Sequence, residues 1–372
     1  MRIMIAGDFC PQRRMAQVIE SGDFSSVLGQ VQELVSAADY SIVNFECAVT
    51  KGGEIPIVKQ GPNLRCSEKG LDILKWAGFN CVTLANNHFY DYGDEGARNT
   101  IERCATLGLD VVGGGMDVKE ASTVLYKIIG GKTVAIINCC EHEFSIADDT
   151  HGGSNPLNPI RQYYSVVQAK ERADYVLVIV HGGHEHWQLP SPRMQETYRF
   201  FIDAGADAVV NHHQHCYSGY EIYRGKPIFY GLGNFCFDRA GNWGEKWHEG
   251  FLLMLTFDEK GIGHEIFPYH QCLEHPTVEL LEKGSFDERL MELNSIILDK
   301  ERLIEETRKY YARERDKMSK VFEPCDSRFY LAGKRRGLFP SLISKKRKLL
   351  ATDLICCESH RDKMYYFLKE EL

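Results

Sequence analysis

Two stretches of the chain concentrate imidazoles: His181-Gly182-Gly183-His184-Glu185-His186 and Asn211-His212-His213-Gln214-His215. Each follows an apolar run, 175–180 and 206–210, of the length and character of a buried strand. The C-terminal ends of strands in α/β folds are where ligands and metals bind. Other strand ends carry matching chemistry. Run 2–6 closes on Gly7-Asp8, run 40–45 on Asn44-Phe45-Glu46, and run 81–84 on Asn86-Asn87-His88, with Asp91 close behind. Alternation along an extended chain puts Asn44 and Glu46 on one side. Carboxylate, amide and imidazole suit Zn, Mn or Fe and require no thiolate. Two such ions about 4 Å apart would hold a water between them, lower its pKa and present it to an ester or amide. Each turn taken alone also reads as an ordinary polar cap. Their coincidence at five strand ends favours a metal site.

The elements that must position these residues follow from periodicity. Helical spacing covers 24–38, through Val27, Leu28, Val31, Leu34 and Val35, and recurs at 71–77, 93–107, 163–172 and 195–204. Residues 123–129 and 132–138 read as a hairpin around Gly130-Gly131, and 219–230 as another around Arg224-Gly225-Lys226. Residues 51–62, rich in Gly, Pro and Lys, read as a loop, and 151–159 as a surface loop at the rim of a site. Gly113-Gly114-Gly115 ends a strand but lacks the lysine and hydroxyl of a phosphate loop. Cys139-Cys140-Glu141-His142-Glu143, at another strand end, offers ligands without a spacing that fixes them. Strands alternating with helices predict an α/β fold.

From Phe286 onward the pattern changes. Leu290, Leu293, Ile297 and Ile304 predict one long amphipathic helix. Two basic clusters follow, Lys334-Arg335-Arg336 and Lys345-Lys346-Arg347-Lys348. The expected division is a site-bearing domain over 1–275 and a helical, basic extension over 276–372. That extension reads as a solvated appendage or as a contact for an anionic membrane surface or polymer.

The 372 residues include 44% hydrophobic and 11% aromatic side chains, enough for a substantial core. The net charge of −8 argues against a specific nucleic-acid partner. No apolar run reaches the roughly 18 residues of a membrane span. The 13 cysteines are scattered without a CxxC pair, which suits free thiols in a reducing compartment. The expectation is a cytoplasmic protein with at most peripheral contact at a membrane face.

The blocks GDFC (7–10), NFECAVT (44–50), LANNHFYDYG (84–93), IVHGGHEHW (179–187) and NHHQHCYSGYEIYRGKPIFYGLGNFCFD (211–238) resemble the CapA-type poly-γ-glutamate capsule synthesis proteins. These are similar in turn to the calcineurin-like metallophosphoesterases. The resemblance covers roughly residues 1–270 and implies a four-layer α/β/β/α sandwich with a mainly helical C-terminal extension. It implies Asp8, Glu46, Asn87, His181, His213 and His215 as ligands for one or two divalent ions (Mn, Fe or Zn). His88 would give a proton to the leaving group, with Asp91 beside it. Asn44, Asn86, Glu185, His212, Glu221 and Asn234 would orient substrate or the ligands.

The implied activity is metal-dependent hydrolysis of a phosphoester or a γ-glutamyl-type amide in capsule polymer synthesis. The alternative is a non-catalytic accessory that binds an anionic polymer alongside other capsule-synthesis proteins. The chain departs from the pattern in three places. Cys10 stands where metallophosphoesterases place a histidine, which weakens one metal subsite. Asn211 and Gln214 stand where glycine and proline are usual, which bears on the loop conformation. The membrane-anchoring segment common before the first block is missing.

Overall fold

The computed structural model describes residues 1–239, 244–282, 284–321, 325, 327–356 and 368. Run 2–6 does not stop at Gly7-Asp8. One strand extends over Arg2–Cys10, buried at every residue but the first. Its pairing slips on both sides of Asp8, against Tyr40–Phe45 and against Asn234–Phe237. A bulge of this kind bends a strand and re-aims a side chain. Gly7 makes the close approach possible, because a Cβ there would sit 1.9 Å from the carbonyl oxygen of Gly233.

This strand is central in an eight-stranded sheet. Tyr40–Phe45, Cys81–Thr83 and Asp110–Val112 follow in parallel on one side, while Glu249–Asp258, Gly261–Gln271 and Val278–Leu280 continue antiparallel on the other. A six-stranded sheet runs Tyr220–Tyr223, Lys226–Phe229, Ala208–His212, Tyr175–His181, Lys132–Cys140, Leu125–Ile129. Its four central strands are parallel. Apolar and aromatic contacts such as Phe229 with Phe251, 6.2 Å between ring centroids, join the two sheets. Helices at Arg13–Ser21, Phe24–Ser36, Lys69–Trp76 and Gly93–Leu107 cover the first sheet. Pro159–Lys170 and Pro192–Ala204 cover the second. The result is the expected four-layer α/β/β/α sandwich.

Local chemistry explains the helix starts. Asp23, Asn158 and Ser191 each accept a backbone N–H of the first turn with their side chains, satisfying donors a helix cannot satisfy internally. Between the sheets, Asn138 accepts from the Ala85 N–H at 2.8 Å and donates to the Ile179 carbonyl at 3.1 Å. Gly113 lies against it with φ of 88°, and a Cβ there would fall 1.9 Å from Asn138 Oδ1. The triple glycine is therefore a packing device. It lets a strand end pass a polar brace that holds both sheet edges at one level.

The single helix expected from Phe286 is two helices, Ser285–Leu298 and Lys300–Val321. Asp299 separates them in an extended conformation (φ −95°, ψ 101°), and its carboxylate accepts the N–H groups of Glu301 and Arg302, both at 3.1 Å. Aspartate competes with the helix backbone in this way and starts a new helix. The first compact unit runs Met1–Leu303, so residues 276–303, counted above with the extension, lie inside it. The reason is packing: Leu293, Ile297 and Leu303 are buried, and Asn294 accepts the Tyr220 N–H at 2.7 Å. The second unit, Ile304–Leu372, carries the helices Arg328–Arg335 and Lys345–Cys356 with both basic clusters. Among the described residues, no helix is long and apolar enough to cross a membrane.

Candidate metal centre

The C-terminal ends of the parallel strands from both sheets meet. Two trios of ligand atoms form there, Glu46 with His181 and His213, and Asp8 with Glu46 and His215, each within 4.8 Å. Glu46 belongs to both. It is fully buried, and neither carboxylate oxygen has a hydrogen-bond partner. Imidazole nitrogens approach it, His181 Nε2 at 3.7 Å and His215 Nε2 at 3.8 Å. Burial, reinforced by the negative charge of Asp8, holds its carboxyl well above the usual range. Asp8 is pushed up to about 6 by burial, against the pull of its Asn44 hydrogen bond and of His213. Burial pushes His181 and His215 well below the usual imidazole range, and neighbouring imidazoles add to the shift. The cluster thus holds neutral imidazoles, which can ligate, beside a Glu46 carboxyl that has no hydrogen bond.

A buried carboxylate without a hydrogen bond or a cation costs several kcal/mol. A divalent cation held by these residues would remove that penalty, and the N/O donor set suits one. The residues present therefore fit a metal, with Glu46 placed to bridge two subsites. Asn87 adds an amide, its Oδ1 3.0 Å from His181 Nε2. Neither trio includes Cys10. Its buried thiol bonds to that of Cys47 and is pushed up to about 11 by burial, which makes it an inert core group.

The neighbouring residues fix the orientation of the ligands. His215 Nδ1 lies 2.9 Å from Asn234 Oδ1, so it donates, and Nε2 is turned toward Glu46. Asn44 donates to Asp8 at 2.8 Å and approaches His181 Nδ1 at 3.3 Å. Asn86 braces the turn, donating to the Phe45 carbonyl and accepting from the His88 N–H. His212 is buried 3.6 Å from Asp8, with neither ring nitrogen hydrogen-bonded. Glu185 is half exposed beside His186 at 3.6 Å, at the mouth. Glu221 is elsewhere: it forks onto Arg199 and accepts from Tyr230, and none of the ligand residues is its partner. Its GxExY pattern reads as rim chemistry but serves to anchor the edge hairpin.

His213 and His215 hold left-handed backbone, φ 94° and 55°, a conformation that costs a non-glycine residue about 1–3 kcal/mol. Asn211 and Gln214 over-determine it. Asn211 donates to the Gly182 and Tyr230 carbonyls, and Gln214 to those of Trp187 and Leu189.

Two residues enter from segments that the sequence left unassigned. Lys59, in the 51–62 loop, buries its ammonium against Asp91 and lies 3.1 Å from His88 Nδ1. Asp91 also accepts from His88 Nδ1 at 2.7 Å and from the Leu64 N–H at 2.6 Å. Nothing in a Gly- and Pro-rich loop signals this. Glu143 accepts from Asn87 Nδ2 at 3.0 Å and lies 3.5 Å from His213 Nε2; its strand-end position was the only signal. By holding the amide nitrogen, Glu143 turns the Asn87 oxygen toward the cluster. Glu143→Ala should therefore weaken divalent-ion affinity about tenfold, with the metal-free unfolding temperature unchanged because the side chain is 40% exposed. Competition against a chromogenic chelator measures this, and an unaltered affinity would remove Glu143 from the site.

The four-layer sandwich gathers buried carboxylate and imidazole side chains, of the types that can hold a metal, at its strand C-termini. Residues 2–239 match the model of the bacterial capsule synthesis protein family PGA_cap, and the chain belongs to that family. It is 32% identical over 278 residues to the PGA biosynthesis protein CapA of Bacillus subtilis, covering 73% of this chain and 72% of that protein. It is also 32% identical to the capsule biosynthesis protein CapA of Bacillus anthracis, across 64% of this chain and 60% of that protein's length. Among solved structures, one described as a novel phosphatase of Mycoplasma pneumoniae aligns with TM-score 0.45 and 17% identity, over 77% of this chain and 98% of the other.

Proposed function

We propose that this protein is a metal-dependent hydrolase of the capsule-synthesis type. Its substrate class is a phosphoester or a γ-glutamyl-type amide of poly-γ-glutamate or a related capsule polymer, and its partners are that anionic polymer and other capsule-synthesis proteins. The observation that carries the reading is Glu46, a fully buried carboxylate with no hydrogen bond, shared by two ligand trios. One or two divalent ions bound there would lower the pKa of a water and polarise the scissile group. Asp8, Glu46, Asn87, His181, His213 and His215 would hold them.

His88 stands beside Asn87 with its Nδ1 committed to Asp91. That leaves Nε2 as the atom that can hand a proton to a leaving group. Burial holds its pKa below the usual range, with Asp91 opposing and Lys59 and His213 adding to the fall. An anionic substrate beside it would oppose that shift and favour the protonated form.

The test is metal analysis of protein purified without chelators, followed by turnover on p-nitrophenyl phosphate, its diester and a γ-glutamyl anilide. We expect about one to two equivalents of Mn, Fe or Zn. His88→Ala should cut turnover on the best substrate by about 10²–10⁴ while metal content stays the same. Protein that no divalent ion binds or stabilises would end the reading. Ion uptake with no turnover on any substrate, but with binding of poly-γ-glutamate, would assign the accessory role instead.

A further inference from the structure

The strands Arg2–Cys10 and Asn234–Phe237 run parallel, with Cys10 opposite Phe237. Just beyond each end stands an arginine, Arg13 and Arg239. The residues between them are clamped. Arg14 donates to the buried Asp238 carboxylate through Nη2 at 2.8 Å, Nε at 3.0 Å and its backbone N–H at 2.9 Å. This fork ties the residue after Arg13 to the residue before Arg239, so both guanidinium groups leave one bridged backbone.

Arg13 is exposed and holds φ of 55°, the left-handed region that a side chain of this size avoids. Such strain persists where surrounding structure imposes it and clusters at functional sites. The Arg239 guanidinium carbon lies 5.1 Å from the Trp247 ring, and that ring lies 5.0 Å from His215. One indole therefore separates this cation from the metal ligands. The paired strand ends and the Arg14–Asp238 bridge bring Arg13 and Arg239 to one edge of the sheet. Burial lowers the Arg239 pKa and Arg13 lowers it further, while Glu185 opposes. The charge of Glu185 also helps to raise the Glu46 carboxyl. Arg13 and Arg239 put two positive charges beside a centre otherwise rich in carboxylates. Guanidinium forks match the paired oxygens of carboxylate and phosphate.

We propose that Arg13 and Arg239 form an oxyanion subsite beside the metal centre, which holds a non-reacting carboxylate or phosphate of the substrate. The proposal rests on the hydrolase reading of that centre and names how it would take an anionic polymer. A chain with one charge per unit presents such a group next to each reacting bond, and the subsite would set the register between the two.

The test is calorimetric titration of the full chain, metal-loaded and chelator-stripped, with inorganic phosphate and with a γ-linked glutamate trimer. Arg13→Ala/Arg239→Ala should keep the metal content and unfolding temperature of the parent. It should lose about 100-fold in affinity for whichever probe the parent binds, roughly tenfold per guanidinium. Arg13→Lys/Arg239→Lys should recover part of that loss. Binding of the trimer alone assigns a carboxylate, and binding of phosphate alone a phosphoester. The arginine-dependent share should persist in stripped protein, because it does not pass through the metal. A parent that binds neither probe, or a double alanine variant that binds as tightly as the parent, overturns the subsite. Loss of metal uptake with arginine-dependent binding retained would instead overturn the metal centre and leave the subsite standing.

Discussion

Treated with chelator, the protein should be most stable at about pH 6.5 and lose stability on both sides, and adding a divalent ion should remove the alkaline loss. The alkaline arm comes from Glu46, whose folded pKa lies well above the unfolded value of 4.5. A carboxyl shifted in that direction favours the folded state while protonated. Its contribution is complete below the unfolded value and is lost as pH rises through the folded one. Glu46 alone should take away about 1.4 kcal/mol per pH unit between its unfolded and its folded pKa. Asp8 adds a smaller loss of the same sign between 3.8 and about 6.

The acid arm comes from the imidazoles. His88, His181, His212 and His215 all have folded pKa values below the usual 6.5, with burial the first cause in each. A depressed histidine gives stability that is present above its unfolded pKa and is lost as pH falls toward the folded one. Four imidazoles outnumber two carboxyls, so the acid arm falls as well. Thermal unfolding of chelator-treated protein from about pH 5 to 8, with and without Mn or Zn, measures both arms. Glu46→Gln should flatten the alkaline arm and abolish ion uptake. A flat alkaline arm in the parent would mean that Glu46 is already compensated without a cation, and the metal centre would lose its strongest support.

The gathering of Asp8, Glu46, Asn87, His181, His213 and His215 was legible because each sits at the end of an apolar run. Parallel strands deliver their C-terminal ends to one edge, so chemistry spread over the first 215 residues converges without any contact being known in advance. The four layers were legible from alternating periodicities and from the resemblance. What the sequence concealed was of another kind. Lys59 and Glu143 reach the site through side-chain direction, which a loop sequence does not encode by spacing. Glu221 looked like a rim residue because its pattern lies in a site-bearing block, yet Arg199 and Tyr230 claim it. The strand past Gly7 and the helix break at Asp299 were misread for a shared reason. Glycine and aspartate are usual stop signals, but tertiary pairing carried the strand on, while a side-chain cap split an otherwise continuous helical pattern.

Replacing Asp91 should cost more than replacing any ligand, and it should cost stability and activity together. Asp91 is fully buried, pairs with the Lys59 ammonium, and accepts from His88 Nδ1 and the Leu64 N–H. Asp91→Ala leaves the Lys59 ammonium buried without its counter-charge, with the Asn87 carbonyl as a hydrogen-bond acceptor, a defect worth about 3–5 kcal/mol. It also frees His88 to rotate. On the hydrolase reading, turnover should then fall as far as in His88→Ala, by about 10²–10⁴, because an imidazole that no longer points into the site does the work of none. The two losses can be separated. Lys59→Met in the Asp91→Ala background removes the orphaned charge and should restore a large part of the stability while activity stays low, since His88 is still unoriented. Denaturant melts and steady-state rates of the two single variants and the double measure the cycle. If the double variant is as unstable as the sum of the singles, Lys59 and Asp91 are not coupled. The loop at 51–62 would then be only a cover, and His88 would have to be oriented by the turn that Asn86 braces.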